Sequence, residues 1–381
     1  MLLTRREEST RKGNRRSSSN SRQKEATESK LEEVEVTAST RLPTVQEPSE
    51  SESSVVIDQK DAKSIEIDGQ DGISSVAYFP DGEHIVGGGY EGKIRRWQVK
   101  DGKEVGTPMD TGDIVCSIAV SPDGKWIVSG TAEGQVIIWN AVSHEKAPEF
   151  PGHELSVKAV EVSPDATTLA TTSHDECACL WSLDSIPPQF LRIIGFSDIC
   201  QPYHRSLAAI KFSPDGRLFA AATWVHDYVR IYDFQDRPPL VTFPIDVSSH
   251  NNQSLAWASN SKQLFALSHE GDIHRLDVFA GTTLSKWPIH SNKKPGCISL
   301  AGNDTFVATS ANSSVSFWDT ATHRQIGPII HHAAHIECMA ISTNYSLVVG
   351  GDDKITLWNL PDILPFSYFD NLVSTFENFV A

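Results

Sequence analysis

The chain has 381 residues, and 33 Lys and Arg against 49 Asp and Glu give it a formal net charge of −16. An acidic surface repels phosphate backbones, so nucleic acid is not an expected ligand. With 39% hydrophobic residues and nine Trp the chain can bury a large core, while its longest apolar runs are strand-sized and exclude a bilayer-spanning helix.

Residues 1–62 contain no aromatic residue and are rich in Ser, Glu, Arg and Lys. Such a segment buries too little apolar area to offset its ordering entropy, which predicts a disordered, charged tail. Arg5-Arg6 and Arg11-Lys12-Gly13-Asn14-Arg15-Arg16 form two basic clusters, read as a solvated linker or as a nuclear-import or acidic-partner contact. Six cysteines stand at 116, 177, 179, 200, 297 and 338 without the spacing of a disulfide framework, and Met1-Leu2-Leu3 runs straight into Thr4-Arg5-Arg6 rather than a signal stretch. A reducing compartment, cytoplasmic or nuclear, is the expectation.

From residue 63 onward the sequence repeats itself. An apolar run followed by Ser-Pro-Asp-Gly recurs as Phe79-Pro80-Asp81-Gly82, Ser121-Pro122-Asp123-Gly124, Ser163-Pro164-Asp165 and Ser213-Pro214-Asp215-Gly216. Pro and Gly do not suit a central strand, so each phrase turns the chain into a hairpin. About fifteen residues on, a second strand-like phrase ends in an aromatic residue at Trp97, Trp139, Trp181, Tyr232, Trp318 and Trp358, with Leu276 in the same place in the fifth unit. The steps between these positions are 42, 42, 51, 44, 42 and 40 residues. Seven units of that length, each with three or four short strands, predict an all-β, seven-bladed propeller over residues 63–362.

These residues resemble the WD40-repeat family. In the third unit Gly152-His153, Ser173, Asp175 and Trp181 match its motif, and the resemblance implies that His153, Ser173, Asp175 and Trp181 form a structural tetrad, a hydrogen-bonded chain that stabilises rather than catalyses. Other units depart from it. Unit seven has His332, Asp352 and Trp358 with Gly350 at the hydroxyl position, unit two has Thr131 with Glu133 and Trp139, and unit one has Gly89, Glu91 and Trp97. Units four to six are expected to be the softer side of the ring. The family's mode of closure implies that Ser64–Ile67 is the outer strand beside Lys354–Asn359, with Ser367–Phe369 as the alternative. The near-regular repeats also resemble fungal expanded WD40 proteins.

Between Leu183 and Ser206 one connection is about nine residues longer than the repeat needs. At the other end, residues 363–381 form an extension in which Phe369, Leu372, Val373, Phe376, Phe379 and Val380 fall at helical spacing, predicting a short helix packed on the propeller.

Catalytic and metal chemistry is not expected. Gly87-Gly88-Gly89-Tyr90-Glu91-Gly92-Lys93-Ile94 nearly spells a phosphate loop, but Ile94 replaces the magnesium-binding hydroxyl and the context is strand–turn–strand. Cys177 and Cys179 alternate along a strand and read as small core residues, and His331, His332 and His335 read as a loop. No cofactor is implied. The family resemblance implies a rigid, non-catalytic scaffold or adaptor for protein or peptide partners, without a commitment on oligomeric state. Carrying the family's docking face onto this sequence gives Tyr90, Ser156, Lys158, His174, His226, His269, His335 and Glu337 as candidate contacts. The alternatives are a ubiquitin-ligase substrate receptor, for which Trp318-Asp319-Thr320-Ala321 lacks the expected Arg, and a propeller enzyme.

Overall fold

The computed structural model describes residues 64–69, 72–175, 177–195, 207–223, 228–233, 240–245, 254–289 and 295–372. The predicted disordered tail, His226 and the segment 373–381 lie outside them. Among the described residues the strands form seven antiparallel sheets, six of four strands and one of three, in a ring. Blade one comprises Ile73–Tyr78, His84–Gly89, Lys93–Gln98 and Met109–Asp110; blade two comprises Val115–Val120, Trp126–Thr131 and Val136–Asn140. Blade three runs from Val157–Val162 to an outer strand Gln189–Gly195, which takes up part of the long connection after Leu183.

Each blade is a β-meander because one turn recurs seven times. Its fourth residue has a positive φ in every blade: Gly82 (67°), Gly124 (71°), Ala166 (59°), Gly216 (71°), Ser261 (55°), Asp304 (59°) and Tyr345 (58°). In blade two Ser121 Oγ donates to Asp123 Oδ1 at 2.6 Å, while the Lys125 N–H donates to the same carboxylate and the Trp126 N–H to Ser121 Oγ. Ser163 with Asp165 and Ser213 with Asp215 repeat the first bond at 2.6 Å each. Blades five to seven make the same turn without spelling Ser-Pro-Asp-Gly, closing it through Ser261, Asp304 and Tyr345 N–H bonds to Ala258, Ala301 and Ser342.

The ring closes by exchange between its ends. Ser64–Asp68 pairs antiparallel with Lys354–Asn359, Ser64 opposite Trp358 and Asp68 opposite Lys354. Ile67, Ile73, Val76 and Trp97 then bury against Cys338, Val348, Ile355 and Leu357 in one cluster across the seam. The alternative closing segment is instead part of a 3-10 turn. After the last strand come two 3-10 turns, Leu360–Asp362 and Phe366–Leu372; of the helix predicted from Phe369 to Ala381 only residues 369–372 are described, and they lie in the second turn. Phe369 breaks the helical path (φ −124°, ψ 32°) because its ring is drawn into the core between Phe306 and Tyr345. Down the axis runs a channel of about 530 Å³ lined by the innermost strands, crossed by a Glu161–Lys211 ion pair at 2.8 Å between blades three and four.

Two outcomes follow from the turns. Ala166 holds a left-handed conformation that costs an L-residue about 1 kcal/mol or more, so Ala166→Gly raises the urea midpoint by the equivalent of about 1 kcal/mol. The turn carboxylates govern acid stability. Burial pushes Asp123 up, but the Lys125 ammonium, the Ser121 hydroxyl and the Lys125 N–H outweigh it and hold the group at about 2; Asp165 and Asp215 are likewise held low by their Ser partners against burial. A folded pKa below the unfolded value means the stabilisation is full above about pH 4 and drains as the pH falls toward about 2. Urea midpoints measured from pH 5 to pH 2.5 therefore decline, and Asp123→Asn makes the decline shallower.

Candidate functional site

Blade three contains a continuous polar chain. The Trp181 Nε1–H donates to Thr171 Oγ1 at 3.1 Å, Thr171 Oγ1 lies 2.8 Å from His153 Nε2, and His153 Nδ1 lies 2.8 Å from Asp175 Oδ2. Asp175, an acceptor only, fixes the proton on Nδ1, so Nε2 accepts from the Thr171 hydroxyl. Burial pushes Asp175 up, yet the His153 bond and the Cys177 and Glu154 N–H groups hold it below the usual carboxylate range. The His153 side chain is 1% exposed. Both its ring nitrogens are engaged and water is excluded, so the pair serves structure.

This corrects the assignment of Ser173. Ser173 sits two residues further along the same strand, where its Oγ donates to the Leu155 carbonyl at 2.8 Å and accepts from the Asp175 N–H. Residues 171 and 173 share one face of the strand, so the alternation was right and the depth was not. The register sets the depth: the hydroxyl position lies opposite the residue two before the aromatic, Thr171 opposite Cys179. By that rule it is Ser129 in blade two and Thr309 in blade six, which accept from Trp139 and Trp318 Nε1 at 3.1 and 3.0 Å. It is Gly87, Ala221, Ala266 and Val349 in blades one, four, five and seven. Thr131, Gly89 and Gly350 are therefore not the equivalents of the tetrad hydroxyl. Gly89 is needed for another reason: a Cβ there would lie 1.9 Å from the Gly72 carbonyl oxygen.

Blade seven holds an unfinished copy. His332 is 5% exposed, its Nδ1 lies 3.2 Å from both the N–H and the C=O of Ala334, and its buried Nε2 has no partner among the described residues. Val349 stands where blade three has Thr171.

The loops at this end of the strands are tied together from blade to blade. Tyr90 N–H donates to Gly72 O, Thr111 N–H to Gly92 O, Ala132 N–H to Ile114 O and His153 N–H to Gly134 O. The Glu133 N–H donates to Asp113 Oδ2. On this frame Tyr90 is 62% exposed, Ile114 36% and Leu155 52%, an arc of apolar side chains over blades one to three. Ile114 and Leu155 were not among the sequence candidates; each sits just ahead of an innermost strand and reads in sequence as its first core residue.

The structure brings Ser156, Lys158 and His174 together: His174 N–H donates to Ser156 O at 3.0 Å, and burial first, then the Lys158 charge, holds the His174 pKa below its ordinary value. His335 Nδ1 lies 3.3 Å from Glu337 Oε1 in blade seven. His269 is exposed on the corresponding turn of blade five, remote in sequence from both groups. Burial pushes the Cys179 thiol up to about 12, which keeps it a protonated core residue.

The hydroxyl positions make opposite predictions in two blades. Thr171→Val strips the Trp181 indole and His153 of their shared partner and lowers stability by about 2–3 kcal/mol, whereas Val349→Thr supplies a hydroxyl beside His332 Nε2 and raises it by about 1 kcal/mol. Urea midpoints of the two variants give the check.

The sequence profile described as WD domain, G-beta repeat matches residues 63–98, 102–140, 145–182 and 324–359, which contain the three inner strands of blades one, two, three and seven. WD repeat-containing protein 1 of Mus musculus is 25% identical over 203 residues, covering 51% of this chain and 32% of that protein. COMPASS component SWD2 of Saccharomyces cerevisiae is 23% identical over 227 residues, covering 55% and 66%. Protein HIR1 of Gibberella zeae is 25% identical over 189 residues, covering 43% and 17%. The chain thus spans about a third of the length of the first of these relatives. With the repeat matched in four blades and its strand plan built in all seven, the chain is a seven-bladed propeller of the WD40-repeat family.

Proposed function

We propose that the chain is a non-catalytic scaffold that holds partner proteins on its loop face within a larger complex, with residues 63–362 as the platform. The observation that carries this reading is the arc of Tyr90, Ile114 and Leu155, exposed on loops bonded to one another. Such a surface is already ordered, so a partner loses little entropy on docking, and an exposed Tyr is a good anchor. Exposed Glu133, Glu154, Asp352 and Asp353 stand on the same end of the blades and favour a partner segment with basic residues. The name of the yeast relative, a COMPASS component, denotes a subunit of an assembly and supports a role in complexes.

The alternatives fit less well. Asp319 of the Trp318-Asp319 pair is taken by the C-terminal segment, whose Tyr368 hydroxyl donates to Asp319 Oδ2 at 2.7 Å, leaving it poorly placed for a ligase adaptor. The His153 side chain is buried with both ring nitrogens bonded, which weighs against a catalytic use of the His153–Asp175 pair. Among the described residues no helix is long and apolar enough to cross a membrane. Cys116, Cys177, Cys179, Cys297 and Cys338 are free thiols, which supports a cytoplasmic or nuclear setting.

Affinity purification of the full chain from its native cells, with quantitative mass spectrometry, tests the scaffold reading. Tyr90→Ala with Leu155→Ser depletes a defined set of partners at least tenfold. Phe279→Ser, at an exposed turn on the other end of blade five, leaves that set intact. Equal partner sets for both variants would remove the loop face from consideration.

A further inference from the structure

Among the described residues blade two has three strands where the other blades have four. Its third strand, Val136–Asn140, turns the peptide groups of odd-numbered residues toward the second strand: on either side of it, Thr131 N–H donates to Gln135 O and Ala141 N–H to Lys125 O. The even-numbered residues face outward. Asn140 N–H donates to Glu145 O at 2.9 Å and Ala147 N–H to Ile138 O at 2.8 Å, and there the pairing stops. Pro148 and Pro151 have no N–H to give. The chain next touches this edge at His153, whose N–H reaches Gly134 O. Blade one begins in the same way, with Trp97 bridged to Glu104, but its chain returns to the sheet as Met109–Asp110 opposite Ile94 and Lys93.

On this edge of the third strand three main-chain groups are therefore unspent among the described residues: the N–H of Ile138 and both the N–H and C=O of Val136. They face a cavity of about 160 Å³ between Val136–Ile138 and the segment Ala147–Phe150. A space of that size takes about five waters, and the open edge, about 10 Å long, matches three residues of extended chain. The far wall is held in place by Phe150, whose ring meets Trp181 edge-on at 5.2 Å. At the rim Lys146 is bound to Glu149 at 3.1 Å, while exposed Glu133 forms no ion pair among the described residues, so the rim is net negative.

We propose that an extended segment of a partner protein enters this cavity and completes blade two as its fourth strand, held mainly through its own main chain. The donors and acceptor on the open edge complement a peptide backbone, as in other cases of strand addition to a sheet edge. The unmatched Glu133 selects a segment with Lys or Arg beside the pairing residues. The site lies at the outer edge of the blade, remote from Tyr90, and Glu133 is the residue that borders both it and the loop face.

Phage-displayed random dodecapeptides, panned on the immobilised full chain, supply the probe. Enriched peptides carry a basic residue next to a β-branched run. On the wild-type chain they slow amide exchange at Val136 and Ile138 at least tenfold. In the Pro148→Val, Pro151→Val variant the chain's own segment zips onto the edge, and peptide affinity falls at least tenfold. Tyr90→Ala leaves that affinity unchanged, which separates this site from the loop face. The proposal is overturned if panning enriches nothing, or if enriched peptides bind without slowing exchange at Val136 and Ile138. The exchange measurement uses the wild-type chain and so stands even if the double variant misfolds.

Discussion

A four-stranded sheet has two apolar faces and no means of covering either by itself. Here each blade lends a face to the next, and the arrangement is only complete when the last blade meets the first. The seam between blades one and seven is therefore the constraint on which the rest depends. It is buried as fully as any other junction: Ile73, Ile85 and Trp97 from one side meet Val348, Ile355 and Leu357 from the other, all at 3% exposure or less. A main-chain bond runs across it as well, Ile73 N–H to Asp352 O.

Within that frame the polar tetrad is a local device. The hydroxyl position has two solutions. A hydroxyl bonds the indole N–H, as in blades two, three and six; or the position shrinks and the aromatic packs into the space. In blade one a Cβ on Gly87 would stand 3.2 Å from the Trp97 ring. In blade four Ala221 leaves room beside Tyr232, which stacks on Phe219 with centroids 5.0 Å apart and planes 9° apart. Blade six, expected on the softer side, keeps its Trp318–Thr309 bond. Only His332 in blade seven is caught between the two solutions, with the imidazole present and the hydroxyl gone.

Much of this was legible because the fold repeats itself. The spacing of the terminal aromatics set the blade number, and the alternation in Ser64–Ile67 marked a strand. The resemblance to WD40 closure then placed that strand against Lys354–Asn359, where the structure has it. What escaped was depth and conformation. Nothing in Thr171-Thr172-Ser173 says which hydroxyl lies beneath the indole, since that depends on cross-strand register. The turns of blades five to seven were hidden because Ser261, Asp304 and Tyr345 adopt a left-handed conformation without the glycine that would announce it. At the C-terminus the helical spacing that starts at Phe369 runs on into residues outside the described ones; within them the Phe369 ring packs between Phe306 and Tyr345 and its backbone leaves the helical path. The exposed arc was read only in part, because an apolar residue heading a strand looks the same in sequence whether its side chain turns inward or out.

The two proposed surfaces differ in kind, and the ring explains why both can exist. The loop face presents side chains on a rigid frame and so discriminates by shape and charge. The outer edge of a blade presents main chain and discriminates weakly by sequence but strongly by conformation. A blade can leave its fourth strand incomplete because its faces are covered by neighbours and its first three strands already reach the core. Blade seven demonstrates the separability: its outer strand arrives from residue 64, nearly three hundred residues before the strand it pairs with. The fourth position is thus the part of a blade that need not come from the adjacent chain. In blade two, where two prolines hold the adjacent chain off, the same position is open to a strand from elsewhere.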